Sequence, residues 1–273
     1  MSTFTAADGV PIYYTDDGAG LPVLCLAGLT RNSTDFDYIA PHLGDVRMIR
    51  MDYRGRGKSG WSAPETYTLM QEGADVLALL DHLGIEKAAI LGTSRGGIIA
   101  MGLAATVKER LFGVCLNDIG PEIAAPGLDA IKNYLGRRPT FRTMEEATVE
   151  RAKLMAGFEN VPVERWRAEA EKHYVETDEG LDINYDPGLR EGVLGQSGNL
   201  NPDLWPFFDA LEGLPTALIR GANSDLLTAE TAAKMADRRP DMLVAEIPDR
   251  GHVPFLDEPE SVLVIRAWIE EMQ

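Results

Sequence analysis

The chain has 273 residues, with 43 acidic against 26 basic side chains and a formal net charge of −17 at pH 7. That balance argues against nucleic acid and anionic membrane surfaces as partners, and no apolar run approaches the roughly 18 residues of a spanning helix. The first residues, Met-Ser-Thr-Phe-Thr-Ala-Ala-Asp-Gly, carry neither a basic region nor an apolar core, so no signal peptide is expected and the cytoplasm is the expected compartment.

At this length one α/β unit with an insertion can bury a large core. In chain order, residues 3–14 read as a hairpin turning at Asp8-Gly9. Strands at 23–26, 46–51, 87–91 and 111–116 then alternate with helical segments at 36–43, 68–83 and 97–107. Such alternation predicts βαβ units and a mainly parallel sheet. The pattern breaks at Gly120-Pro121. From there to about Pro202 the chain is charged and helical with no strong strand, 145–156 and 162–175 being the clearer helices. Alternation resumes with a strand at 216–219, a helix at 229–237, a strand at 242–247 and a last helix at 259–272. The expected organisation is a core of residues 1–120 and 203–273 with 121–202 inserted as a helical cap. Cys25 and Cys115 fall in apolar strands and read as small core residues rather than a disulfide or a nucleophile.

Chemistry enters at Gly92-Thr-Ser94-Arg-Gly96-Gly97, a G-x-S-x-G turn between a strand and a small-residue helix. A serine on so sharp a turn has its hydroxyl pushed to the top of the sheet. The helix N-terminus behind it supplies positive potential where an oxyanion would develop. A general base must follow. Of the four histidines, His42 and His82 precede the serine near helix ends, and His173 sits in a charged helical segment. His252 lies in the loop Asp-Arg-Gly251-His252-Val-Pro254 after the last strand, in the order such a site requires. Two carboxylates compete for the third place. Asp225 follows the strand at 216–219 and Asp118 follows the strand at 111–116; both leave a carboxylate at a strand's C-terminal end, where open α/β sheets build sites. Asp225 is favoured because it follows the later strand and precedes a helix, whereas Asp118 before Ile-Gly-Pro suits a turn.

With these residues the chain resembles the α/β-hydrolase family nearly end to end. The Ser94 turn, the Asp52-Tyr-Arg54-Gly-Arg-Gly57-Lys-Ser59 loop, Gly221-Ala-Asn-Ser-Asp225 and Arg250-Gly-His252 stand in the family's order. The resemblance implies the α/β-hydrolase fold: a mostly parallel eight-stranded sheet, helices on both faces and an inserted helical cap. It also implies an oxyanion hole made by the backbone N–H groups of Leu29 and Arg95. One departure is Ala27-Gly28-Leu29 where many members carry His-Gly, which touches the bracing of that loop more than its donors. On this pattern Ser94 is the nucleophile, His252 the base, Asp225 the orienting acid, and water cleaves an acyl-enzyme with no cofactor.

Two other motifs weigh less. Gly55-Arg-Gly57-Lys-Ser-Gly60 matches G-x-G-x-x-G, but Trp61-Ser-Ala-Pro64 stands where a dinucleotide site needs a helix. Gly57-Lys58-Ser59 resembles the end of a phosphate-binding loop whose first glycine is replaced by Asp52. The histidines and cysteines are too scattered for a metal cluster. The expected partner is a small-molecule substrate; nothing in the sequence addresses oligomeric state. Pocket candidates are Phe141, Leu154, Met155, Phe158, Trp166, Trp205 and Phe207, and Arg95 could meet either a substrate carboxylate or a buried acid. A carboxylic-ester or lactone hydrolase is the expected function. Carbon–carbon hydrolysis or perhydrolysis on the same three residues, and a non-catalytic binding scaffold, are the alternatives.

Overall fold

A computed structural model describes residues 2–195 and 203–273. Its first strands, β1 (Ser2–Thr5) and β2 (Pro11–Gly18), form the expected hairpin, with Gly9 at φ +91° in the turn. They are followed by β3 (Leu21–Leu26), β4 (Val46–Met51), α1 (Leu69–His82), β5 (Ala88–Thr93), α2 (Arg95–Val107) and β6 (Leu111–Asn117). After the intervening segment come α7 (Trp205–Asp209), β9 (Thr216–Gly221), α8 (Ala229–Arg238), β10 (Leu243–Ile247) and α9 (Pro259–Glu270). The eight core strands form one sheet in the order β1-β2-β4-β3-β5-β6-β9-β10. Only β2 runs against the direction of the other seven strands.

The central strands β3, β5 and β6 are almost wholly apolar because both their faces are covered. Alternate residues supply two cores. Leu24, Leu26, Ile90, Val114 and Leu116 face a cluster closed by α1 and α2, including Val76, Leu79, Ile99 and Leu103. Their neighbours Val23, Cys25, Leu91 and Cys115 face the other cluster, with Phe36, Ile39, Ile265 and Trp268. The cysteines are therefore unpaired core residues, their thiols pushed up by burial. Two expectations need correction. The segment at 36–43 is two short 3₁₀ turns, Ser33–Asp37 and Ala40–His42, not an α-helix. Its apolar residues Phe36 and Ile39 made the pattern look helical, but Pro41 and the Asn32 cap hold it in separate turns.

The second correction lies between β6 and β9. Helices α3 (Ala125–Tyr134), α4 (Met144–Leu154), α5 (Val163–His173) and α6 (Leu189–Leu194) are joined by a hairpin, β7 (Tyr174–Thr177) and β8 (Gly180–Ile183). The helix expected at 162–175 stops at His173, because the chain turns back through Gly180 at φ +118° and pairs Tyr174 with Ile183. Charges at Glu176, Asp178, Glu179 and Asp182 mask the period-two pattern of so short a ribbon. The expected end of the insertion at Pro202 lies outside the described residues. Among the described residues no helix is long and apolar enough to cross a membrane.

Candidate active site

The turn after β5 is built by exclusion of side chains. A Cβ on Gly96 would lie 2.1 Å from the Leu26 carbonyl oxygen, and one on Gly92 would lie 2.6 Å from Gly97 N. Only glycine lets α2 start so close to the sheet. Ser94 between them sits at φ 50° and ψ −113°, a conformation L-residues seldom adopt, which the packed strand and helix impose. Its N–H donates to Asn117 O at 2.9 Å, tying the turn to the end of β6. Its hydroxyl makes no cap bond to α2 and meets His252 Nε2 at 3.0 Å.

His252 Nδ1 meets Asp118 Oδ2 at 2.7 Å. The sequence choice of Asp225 is thereby corrected: the carboxylate on the imidazole is Asp118, the residue immediately after β6. Asp118 is fully buried at φ 54°, with its own N–H on Ile219 O at 2.8 Å. Gly221 N (2.8 Å) and Ser224 Oγ (2.6 Å) donate to its two oxygens. The Gly221-Ala-Asn-Ser-Asp225 loop thus cradles the acid from β6 instead of supplying one. Sheet order decides this: β6 lies between β5, which carries Ser94, and β9, which carries the cradle. Asp225 makes no hydrogen bond to His252; it lines the adjoining cavity, and its backbone carbonyl accepts from Gly127 N at 3.2 Å. Ser224 went unnoticed in the sequence because a hydroxyl beside an aspartate in a turn has no distinguishing signal.

Arg95 follows Ser94 at the start of α2, and Leu29 lines the same cavity as Ser94. A Cβ on Gly28 would stand 3.8 Å from the Ser94 Cβ. Neither the Leu29 nor the Arg95 N–H donates to another group among the described residues. Ala27 offers only a methyl group, and the Arg56 side chain together with a backbone turn holds the loop. Arg56 Nε donates to Leu29 O at 3.0 Å, and Arg31 N donates to Gly28 O at 3.2 Å. Arg95 is not among the residues that line the cavity. It pairs with Glu72 (2.6 Å), which also pairs with Arg56 (2.8 Å), and all three are largely buried. Burial alone would raise the Glu72 pKa, but Arg56 and Arg95 hold it below the ordinary carboxylate range.

The glycine-rich Gly55–Gly60 loop closes on itself. Gly55 N donates to Gly60 O at 2.8 Å, Gly60 N to Pro11 O at 2.7 Å, and Asp52 takes the Ser33 and Lys58 N–H groups. Its amides are spent inside the protein, and no helix opens at Gly60.

A cavity of about 610 Å³ opens over Ser94 and His252. Gly28, Leu29, Thr30 and Arg31 form one wall; α3 supplies Ile131 and Tyr134, the loop after it Phe141, the end of α4 Leu154 and the adjoining Met155, and β8 Ile183. Three of the expected lining residues, Phe141, Leu154 and Met155, are there. Phe158 and Trp166 instead pack on one another and on Phe255, with centroids 5.2–6.1 Å apart. Trp205 packs on Phe208 and Arg238, and Phe207 is half-exposed beside it. Aromatic residues at helical spacing bind helices together as readily as they line pockets, and sequence cannot separate the two.

Charged groups in the lining were not foreseen. Arg31 pairs with Asp35 and with Glu169 of α5 (3.1 Å). Arg151 pairs with Glu169 (3.6 Å) and contacts His173 Nε2 at 2.9 Å. Burial would raise the Glu169 pKa, but Arg31, Arg151 and Lys172 bring it down to about 2. His173 is buried, with Arg151 and Arg31 adding repulsion, so its pKa falls well below the usual imidazole value. A neutral ring with Nδ1–H on Glu169 O (2.8 Å) and Nε2 accepting from Arg151 satisfies every contact. These bonds join α4 and α5 to the Gly28–Arg31 wall.

A serine hydroxyl, an imidazole and a carboxylate stand in hydrogen-bonded line beside a cavity on a mostly parallel eight-stranded sheet. The model of the alpha/beta hydrolase family matches residues 23–264, and the chain belongs to that family. It is a hydrolase by that membership. A 3-hydroxybutyrate-oligomer hydrolase from Cupriavidus necator is 36% identical over 252 residues, covering 89% of this chain and 86% of the relative. A 2-(acetamidomethylene)succinate hydrolase from Mesorhizobium japonicum is 28% identical over 91% of this chain and 87% of its own. Among solved structures, an alpha/beta hydrolase from Novosphingobium aromaticivorans superposes with a TM-score of 0.92 at 36% identity, covering 98% of this chain and 97% of that one.

Proposed function

We propose that this chain cleaves carboxylic esters of small molecules, lactones included, through an acyl-enzyme on Ser94. The observation that carries the reading is the hydrogen-bonded line from Ser94 Oγ through His252 to the buried Asp118, open to the cavity. His252 Nε2 takes the hydroxyl proton as Oγ bonds to the ester carbonyl carbon. Charge moves to the carbonyl oxygen, where the Leu29 and Arg95 N–H groups receive it. The tetrahedral adduct collapses, the ester C–O bond breaks, and the imidazolium returns its proton to the departing alkoxide. Water, deprotonated by the same ring, then releases the acid and restores Ser94. Asp118 holds the tautomer with Nδ1–H and stabilises the imidazolium without taking its proton. The relative from Cupriavidus necator is named for hydrolysing oligomers of a hydroxy acid, and units joined hydroxyl to carboxyl are esters. We further propose that residues 121–202 act as a cap whose cavity-lining side chains select the substrate while the core performs the chemistry.

Two measurements test this with purified protein. Ser94→Ala should lower kcat/KM on short p-nitrophenyl esters by about 10⁵- to 10⁶-fold, and a fluorophosphonate should attach to Ser94 by mass spectrometry. An alanine variant that keeps most of its turnover, or a label on another residue, rejects the reading.

A further inference from the structure

Four arginines line the cavity: Arg31, Arg137, Arg138 and Arg151. Three are balanced by acids of the chain. Arg31 has Asp35 and Glu169, Arg151 has Glu169, and Arg138 has Asp182 at 3.1 Å and Glu179 at 3.8 Å. Arg137, an exposed residue of that lining, has no carboxylate within ion-pair distance among the described residues, although the chain holds 43 acidic side chains. Asp225, the acidic residue of the lining, packs at the N-terminal end of α3, where its carbonyl accepts from Gly127 N. Arg137 follows the other end of that helix, and at about 1.5 Å per residue the two stations lie roughly 10 Å or more apart. The turn that carries Arg137 is held. Gly136 adopts φ +68°, its N–H donates to the Tyr185 hydroxyl at 3.0 Å, and Arg137 N donates to Tyr134 O at 3.1 Å.

From this arrangement we propose that Arg137 binds a free carboxylate of the substrate, so that the ester delivered to Ser94 belongs to an acyloxy acid or a short hydroxy-acid oligoester with its acid end unesterified. The proposal rests on the ester-hydrolase reading above. Ser94 and Arg137 open into one cavity, so a single molecule can present its ester to the first and its carboxylate to the second. A chain of net charge −17 repels anions at long range, so an acidic substrate needs a local cation to be retained. A guanidinium does this best, since its fork of donors matches the two carboxylate oxygens. Arg95, the other arginine of interest, is consumed by Glu72.

The test compares 3-acetoxybutyrate with its methyl ester, which differ only in the carboxylate. Wild type should favour the acid. Arg137→Gln should lower kcat/KM for the acid by about 10- to 100-fold, mainly through KM, the range of a lost charge-assisted bond. It should affect the methyl ester far less, and Arg137→Lys should fall between. Binding of 3-acetamidobutyrate, followed by calorimetry, reads the same contact without turnover. Binding retained in Ser94→Ala and lost in Arg137→Gln supports the anchor even if no ester is cleaved. If Arg137→Gln leaves both the acid-to-ester ratio and amide binding within twofold of wild type, Arg137 is a solvated helix-end charge and the proposal is overturned.

Discussion

Replacing Asp118 by asparagine tests which carboxylate serves His252. The native carboxylate accepts three bonds: Nδ1–H of His252 and the Ser224 hydroxyl on Oδ2, and the Gly221 N–H on Oδ1. An amide can match only part of that. If its oxygen keeps the Gly221 N–H, its NH2 faces the imidazole, which must then accept at Nδ1 and carry its proton on Nε2. That ring presents a donor to Ser94 and cannot act as base. If the amide flips, its NH2 opposes the buried Gly221 N–H, leaving donors unsatisfied at about 1–3 kcal/mol. The first arrangement costs catalysis, the second stability, and fold alone favours the first. The expected loss is roughly 10⁴-fold in kcat, as for a triad held in the wrong tautomer, equivalent to about 5.5 kcal/mol at 1.36 kcal/mol per decade. Asp225→Asn touches neither His252 nor its partners and should change kcat on a short ester by less than about tenfold. Steady-state kinetics on p-nitrophenyl acetate decides the matter, with circular-dichroism melts to confirm folding. Should Asp225→Asn prove the crippled variant and Asp118→Asn the active one, the reasoning from hydrogen-bond geometry fails.

The remaining predictions concern buried charge. Glu72→Gln leaves Arg56 and Arg95 as uncompensated buried cations, and should cost about 3–5 kcal/mol in urea unfolding; a loss under 1 kcal/mol would mean that water reaches the cluster. His173 has its folded pKa depressed by burial, so the unfolded chain binds the extra proton below its ordinary value near 6.5. Stability should therefore be whole above that pH and fall as pH drops through it, with a slope approaching 1.4 kcal/mol per unit. The window is separate from that of Glu169, whose stabilisation is present above the usual glutamate pKa and lost as pH falls towards about 2. Chemical denaturation of wild type and His173→Gln between pH 7.5 and about 5 checks the first window, and equal slopes in the two proteins would reject it.

The sequence by itself determined the parts of this protein that rest on local rules. Apolar runs bounded by turns located β3 to β6, β9 and β10, most clearly in β3 and β5, where cover on both faces leaves little room for a polar side chain. Gly92, Gly96 and Gly97 announced the Ser94 turn, since no side chain fits against Leu26 and Ile119 there. His252 followed from its order and from Gly251 and Pro254 around it. What needed the tertiary structure was adjacency. Asp118 and Asp225 both end strands, and only the order β5-β6-β9 sets one on the imidazole and turns the other's loop into its cradle. The Arg95 side chain could face substrate or acid until Glu72 of α1 came beside it. Phe158 and Met155, both apolar and three residues apart, end in an aromatic cluster and in the cavity wall. Local pattern fixes what a residue prefers to be near, water or core, but long-range packing chooses which neighbour it meets, and the pairings within this site are of that second kind.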